Sequence, residues 1–362
     1  MKIIAYYLPQ YHPIKENNEW WGRGFTEWTN VGKAKKYFRD HYQPKIPKDL
    51  GYYDLRIDDV RKQQADLARE AGVDGFCYWH YWFGNGRRLL EMPFNEVLKS
   101  GEPDFPFCLG WANETWKAKV WDFNGTIRDR TLMEQLFPGD EDYTNHFYAV
   151  LDAFKDKRYL RKNNKPIFVI YKPFLIPDVS NFIDIWKQLA IKEGLDGIHF
   201  IGHTEKTSNI GPIMNMGFDA INIVRNGEYA FNKHLLKRIL IPTILYKFFR
   251  RPLKISYALM IKYFVQKEDK ESYIYPSIIP NWDHTPRSGR KGSIFHNSTP
   301  ELFSKHVKDV FNVTKNKKED DQIIFLKSWN EWGEGNYMEP DLRFGKRYIE
   351  VLGNLRKEQD KL

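Results

Sequence analysis

Residues 322–335 read Q-I-I-F-L-K-S-W-N-E-W-G-E-G. A short apolar run passes into a loop that carries two tryptophans, two glycines and two carboxylates, Glu331 and Glu334. Such a run suits a strand buried on both faces, as in a parallel sheet. Carboxylates just beyond its C-terminal end suit the face where barrel enzymes keep their active sites.

Seven more apolar runs share this character, at 2–7, 75–81, 107–111, 167–171, 197–201, 220–224 and 275–279; the eighth strand is 322–328. Amphipathic stretches fall between most of them. The one at 54–71 has Asp54 as its expected cap and Gly72 as its stop. Others lie at 94–99, 142–154, 179–192, 300–312 and 343–357, with a broken helical region at 233–266. Eight strands alternating with helices over 362 residues predict an α/β fold, a (β/α)8 TIM barrel occupying 1–362 as one catalytic domain. The competing doubly wound sheet would carry a G-x-G-x-x-G or phosphate-binding loop after a strand, and none is present. Long loops follow strands one, three and six, at the C-terminal face.

The chain has 12 Trp, 21 Tyr and 25 Phe, a supply of flat rings suited to stacking on sugars or bases. Its two cysteines, Cys77 and Cys108, sit in apolar runs and read as buried thiols of a reducing compartment. The first residues are too short an apolar run for a secretory signal, and no stretch reaches the length of a membrane span. The expected location is cytoplasmic. The net charge of +9 is local: residues 229–267 hold nine Lys or Arg and no Asp or Glu, leaving 47 basic against 47 acidic residues elsewhere.

Nearly every strand end offers a ring beside an amide, carboxylate or imidazole. Strand one and its loop supply Tyr7, Gln10, His12, Trp21, Glu27 and Trp28. Strand two supplies Tyr78, His80 and Tyr81, and strand three Trp111, Asn113 and Glu114. Tyr171, His203 and Asp283 follow strands four, five and seven, and Trp329 and Asn330 follow strand eight. All are assigned to substrate binding, because rings stack on apolar sugar faces while polar groups bind hydroxyls. Glycosidic chemistry needs one protonated and one ionised carboxyl group, and neighbouring carboxyls push their pKa values apart. Glu331 and Glu334 fit that pair as the catalytic residues. His199 and His203, four apart, lack the further ligands a metal needs, so neither metal nor cofactor is expected. No serine stands in G-x-S-x-G.

The motifs Y-Y-L-P-Q-Y-H-P, W-W-G-R-G-F-T-E-W-T-N-V, W-A-N-E-T-W, P-N-W-D-H-T-P-R and W-N-E-W-G-E-G together resemble the WbsX-like family. Members are often described as glycosyltransferases of surface-polysaccharide clusters, and they are similar to glycoside hydrolase family 99, the endo-α-mannosidases. The resemblance runs from Tyr6 to about Arg347. It implies a (β/α)8 barrel and a metal-independent reaction. It also implies Glu334 as general acid/base and Glu331 as the base that deprotonates the sugar 2-hydroxyl, giving a 1,2-anhydro sugar and net retention. A mannose-like axial 2-hydroxyl suits that route. Transfer to a sugar hydroxyl in surface-polysaccharide (O-antigen, lipopolysaccharide or capsule) biosynthesis is the alternative. A non-catalytic glycan-binding protein is the third.

The basic segment interleaves cations with large apolar residues, and Pro242 and Pro252 divide it into three short helical pieces. It reads either as a surface for an anionic membrane, at the inner face, or as an insertion after strand six that packs on the barrel. The expected partner is an oligosaccharide or polysaccharide; nucleic acid is not expected.

Overall fold

The computed structural model describes residues 1–121, 127–227, 240, 244, 248 and 251–361. Eight parallel strands close on themselves: β1 (Lys2–Tyr7), β2 (Gly75–Trp82), β3 (Phe107–Trp111), β4 (Lys165–Ile170), β5 (His199–Thr204), β6 (Ala220–Ile223), β7 (Ile274–Ile278) and β8 (Ile323–Leu326). Each pairs with its sequence neighbour, and β1 pairs with both β2 and β8. This is the predicted (β/α)8 barrel, with strand limits within a few residues of those read from the apolar runs. All eight residues of β2 are buried, as expected of a strand covered on both faces.

The barrel interior is packed. Tyr6 of β1 stacks on Trp79 of β2 at 4.6 Å and on Phe325 of β8 at 5.1 Å. Its hydroxyl donates to Asn222 of β6 at 2.8 Å, so the ring's polar end is satisfied in the core. Cys77 and Cys108 are free, buried and opposite one another on β2 and β3.

Helices cover the outside: α1 (Lys15–Trp21) and α2 (Glu27–Gly32) in the loop after β1, then α3 (Asp58–Glu70), α4 (Met92–Ser100), α5 (Asp140–Lys155), α6 (Val179–Lys192), α7 (Ile210–Asn215), α8 (Tyr257–Phe264), α9 (Pro300–Thr314) and α10 (Arg347–Gln359). α3 begins four residues later than predicted, and Asp54 does not cap it. Leu55 N–H is held by the Tyr11 carbonyl at 3.0 Å, which keeps residues 54–57 out of the helix. Asp54 instead accepts from Arg56.

Of the basic segment, 253–264 takes the packed form. Leu253–Ser256 is a strand paired with Ser293–His296, so the third helical piece that the sequence predicts is confined to Tyr257–Phe264. Tyr257, Met260, Ile261 and Phe264 of α8 are buried against Val224, Ile279 and Phe295. Most of 228–250, including Pro242 and the first predicted helical pieces, lies outside the described residues.

Two asparagines predicted to bind substrate extend the ladder at strand ends. Asn330 accepts from Leu8 N–H at 2.8 Å and donates to Leu8 O at 3.0 Å, joining the exits of β8 and β1. Asn113 does the same for Lys172, at 2.8 and 2.9 Å, joining β3 and β4. Each side-chain amide stands in for a peptide group. Asn330→Ala and Asn113→Ala are therefore expected to cost about 1–3 kcal/mol for each buried backbone group left unpaired, read as a lower urea midpoint. An unchanged midpoint would refute the clamp.

Candidate active site

Glu331 and Glu334 sit at the two ends of one tight turn. The strand Asn330–Glu331 pairs antiparallel with Asn336–Tyr337, and Trp332–Glu334 form a single 3-10 turn between them. Gly335 closes the turn at φ +55°, where a Cβ would also meet Asp283 and the Lys45 ammonium at 2.7 Å. Gly333 leaves room for another carboxylate: a Cβ there would fall 2.0 Å from Glu27 Oε2. The motif's two glycines are thus required by what packs against the turn.

One guanidinium gathers the acids. Arg287 Nη1 lies 2.7 Å from Glu334 and 3.1 Å from Glu331, and its Nε lies 3.1 Å from Glu27, the first residue of α2. Arg287 comes from the turn Thr285–Ser288 after β7. That turn is anchored by Asp283, which accepts from Gln43 at 2.7 Å and from Thr285 Oγ1 at 2.6 Å and contacts His41 Nε2 at 2.8 Å. Burial opposes charge on Asp283, but these hydrogen bonds and the Lys45 ammonium hold its carboxyl below the usual range. Asp283 supports the cleft from behind and does not line it.

The two glutamates of the turn are driven apart electrostatically. Burial raises Glu331, and the neighbouring Glu334 charge raises it further. Burial also pushes Glu334 up, yet Arg287 and the hydrogen bond from His284 outweigh it and hold the carboxyl well below its ordinary value. The surroundings therefore favour the charge on Glu334 over Glu331.

The pair opens into a cleft of about 790 Å³ at the C-terminal mouth of the barrel. Of the predicted binding residues, Gln10, Trp21, Glu27, Tyr81, Glu114 and Tyr171 line it with Glu331 and Glu334. Trp21, 46% exposed, leaves much of its ring open to solvent at the cleft. Burial raises the Glu114 carboxyl, and the nearby Glu334 and Glu205 charges add to this.

The other predicted residues pack away from the cleft. Tyr7 donates to Gln64 at 2.7 Å, and Tyr78 tilts against it. Trp28 donates to the Tyr53 carbonyl, and Trp111 to the Trp82 carbonyl. His80 is paired with His146 at 2.8 Å in the core. His12 is buried, which lowers it to about 4. His203 lies beneath Tyr171, and its neighbour on β5, His199, contacts Tyr275. Trp329 is wholly buried against Phe76.

Sequence reading missed Arg287, His284, Lys327, Trp79, Trp116 and Trp282, all of which line the cleft. Arg287 and His284 stand in P-N-W-D-H-T-P-R, the motif whose Asp283 is the residue assigned to binding from the sequence. A free choice between Asp, His and Arg in one strand-end motif needs to know which side chain turns inward. Trp282 and His284 stack at 5.8 Å and form one wall.

Gly333→Ala is expected to force Glu27 off Arg287, with a cost of about 1–3 kcal/mol from overpacking. The double variant Glu27→Ala/Gly333→Ala should then lose less than the two single variants together, since only the 3.0 Å approach to Arg287 Nε remains. Additive losses in urea unfolding would show that the clash is not with Glu27.

The chain matches the family model described as "Glycosyltransferase WbsX" over residues 3–352. Two relatives, each named "Uncharacterized protein WxcX", come from Xanthomonas campestris pv. campestris strains B100 and ATCC 33913; each is 34% identical over 352 residues. The match covers 96% of this chain but 48% of each relative, so the chain spans about half their length. Among solved structures, a GH99 endo-α-mannosidase from Bacteroides thetaiotaomicron in complex with Bis-Tris-propane aligns with a TM-score of 0.59. It shares 15% identity, over 99% of this chain and 97% of that one. A "Glycoside hydrolase-like protein" aligns with a TM-score of 0.54 at 14% identity, covering 99% and 93%. These structural likenesses show the same barrel fold, and the family match shows that the chain belongs to the WbsX family.

Proposed function

We propose that this protein is a glycoside-bond enzyme that uses Glu331 and Glu334 on α-mannoside-type substrates, with retention through a 1,2-anhydro sugar. The observation that carries the reading is the shared contact of both carboxylates with Arg287 Nη1. Two oxygens this close to one nitrogen stand nearer than the roughly 6.5–9.5 Å gap that inverting enzymes leave for a water. Rings on the cleft walls supply stacking surfaces for a sugar chain. GH99 endo-α-mannosidase, which shares the barrel, supports the substrate class.

The family's description favours a second reading, transfer to a sugar hydroxyl in place of water. The same pocket serves both. Its described lining sets Glu27, Glu114, Glu205, Glu331 and Glu334 against Arg287, Lys117 and Lys327. An anionic nucleotide-diphosphate donor would meet more carboxylates than cations there, so a neutral glycan or a lipid-linked sugar residue is the better fit.

The role implied for Glu334, a proton donor, runs against the charge that Arg287 and His284 favour on it. Substrate entering between Arg287 and Glu334 would remove the contact that keeps Glu334 ionised. Glu331→Gln and Glu334→Gln on dinitrophenyl and unactivated α-mannosides separate the roles. A dinitrophenolate leaves without protonation, so Glu334→Gln should keep turnover on that substrate while losing about 10²–10⁴-fold on the unactivated one. Glu331→Gln should lose both. Rescue of Glu331→Gln instead would exchange the roles, and full activity in both variants would end the reading. With lipid-linked oligosaccharides as substrate, mass spectrometry distinguishes shortened from elongated product; binding without turnover would make the protein a lectin.

The proposal extends to a peripheral site at an anionic membrane. Leu240, Ile244 and Phe248 are helical, four apart and 57%, 41% and 77% exposed, within the segment of nine cations. No helix among the described residues is long and apolar enough to cross a bilayer. Co-sedimentation with phosphatidylglycerol vesicles at low salt is expected, and loss in the triple variant Leu240→Gln/Ile244→Gln/Phe248→Gln. A wild-type protein left in the supernatant would refute it.

A further inference from the structure

Behind the candidate catalytic turn, on the side away from the cleft, lies a third carboxylate of the same loop. Glu339 is buried and accepts three hydrogen bonds: from Trp332 Nε1 at 2.6 Å, Gln64 Nε2 at 2.6 Å and Tyr53 Oη at 2.9 Å. Among the described residues no cation is ion-paired to it. Three donors converging on one carboxyl favour its ionised form, whereas a buried carboxylate with no counter-ion is costly. A group kept in such a place without a salt bridge calls for an explanation.

Trp332 supplies one. It is the residue between Glu331 and Gly333, and it is locked on every side. Its backbone N–H donates to Tyr11 Oη at 3.0 Å, its ring stacks on Tyr337 at 3.8 Å, and its indole N–H goes to Glu339. Tyr11 Oη in turn donates to the Asn330 carbonyl at 2.5 Å. Through Gln64, which accepts from Tyr7, the Glu339 network reaches β1 and α3.

We propose that Glu339 is a positioning residue for the carboxylate pair: from outside the cleft it fixes Trp332, and through Trp332 the spacing of Glu331 and Glu334. The inference rests on the functional reading above for its catalytic consequence, but not for its structural one. Among the described residues it is the only carboxylate hydrogen-bonded within this network, although the Glu27 charge on α2 also acts on Tyr11. β1 and its loop present Tyr7 and Tyr11, the loop before α3 presents Tyr53, and α3 presents Arg61, whose Nη1 is committed to the Leu55 carbonyl at 2.6 Å.

Burial raises Glu339 to about 7, against the pull of its donors. The folded protein therefore holds a proton that the unfolded chain has released between the ordinary carboxylate range and about 7. This group's contribution to stability falls as pH rises through that window. Protonation adds a donor where three donors already converge, so the hydrogen bonds around Trp332 must rearrange at that pH.

The test joins a spectrum to kinetics. The indole ¹H–¹⁵N resonance of Trp332, identified by its loss in Trp332→Phe, is expected to titrate with a midpoint about 7 in the wild type. In Glu339→Gln it should be displaced and no longer titrate. Glu339→Ala should lower kcat by up to about 10²-fold with KM little changed, as small misplacements of reacting groups do. Glu339→Gln, which keeps an acceptor for the indole, should restore most of it. A Trp332 resonance indifferent to Glu339→Gln, or an Glu339→Ala enzyme with wild-type kcat, overturns the proposal. If the wild type turns over no α-mannoside, the functional reading falls, and the resonance alone decides whether Glu339 holds the turn.

Discussion

The contact on which the cleft depends is the guanidinium of Arg287 set among Glu27, Glu331 and Glu334. Three carboxylates packed this closely would repel one another, and burial raises the cost of each charge. Arg287 is planar, cannot lose its proton and offers several donors in fixed directions. Burial works against its charge, but the surrounding acids outweigh that and hold its pKa above the ordinary value. From a turn after β7 it can therefore bind three acids that arrive from two other parts of the chain: Glu27 on a helix after β1, and Glu331 and Glu334 on the loop after β8. Remove it and the carboxylates at the mouth have no common reason to converge.

The surroundings are built to deliver that contact. Asp283, buried and multiply hydrogen-bonded, sets the turn that carries Arg287 and His284. Gly333 yields the space that Glu27 takes. Asn330 ties the exit of β8 to β1, so the turn between Glu331 and Glu334 begins from a fixed point. Asp283 and Asn330 are polar and buried, and each is satisfied. The chemistry sits on loops, but the loops extend the barrel's hydrogen-bonded order outward by several residues.

The barrel was legible because parallel strands buried on both faces leave apolar runs that polar loops interrupt, as in F-C-L-G-W and I-I-F-L. Helix starts were less so: Asp54 has the chemistry of a cap, but Leu55 is held by Tyr11, a contact between residues more than forty apart. In the site, Glu331 and Glu334 stood out as close carboxylates in one motif. Asn113, Asn330, His80 and Trp111 stood out for the same reason, residue type at a strand end, and proved to face backbone or core. Residue type at a strand end cannot tell an inward-facing side chain from one that closes a ladder. Arg287 was hidden for the complementary reason. Its meaning comes from Glu27, which is 260 residues away, and no local spacing reports that meeting.

Under the proposed glycosidase reading, the spacing that Arg287 imposes would have a stereochemical consequence, since the gap between two carboxyl groups sets the outcome of glycoside cleavage. The most direct measurement is the anomeric configuration of the first-formed product, followed by ¹H NMR during cleavage of an α-mannoside before mutarotation. The account predicts the α-anomer, retained. A β-anomer formed first would mean that a water fits between Glu331 and Glu334, and would contradict the shared guanidinium as the organiser of the site.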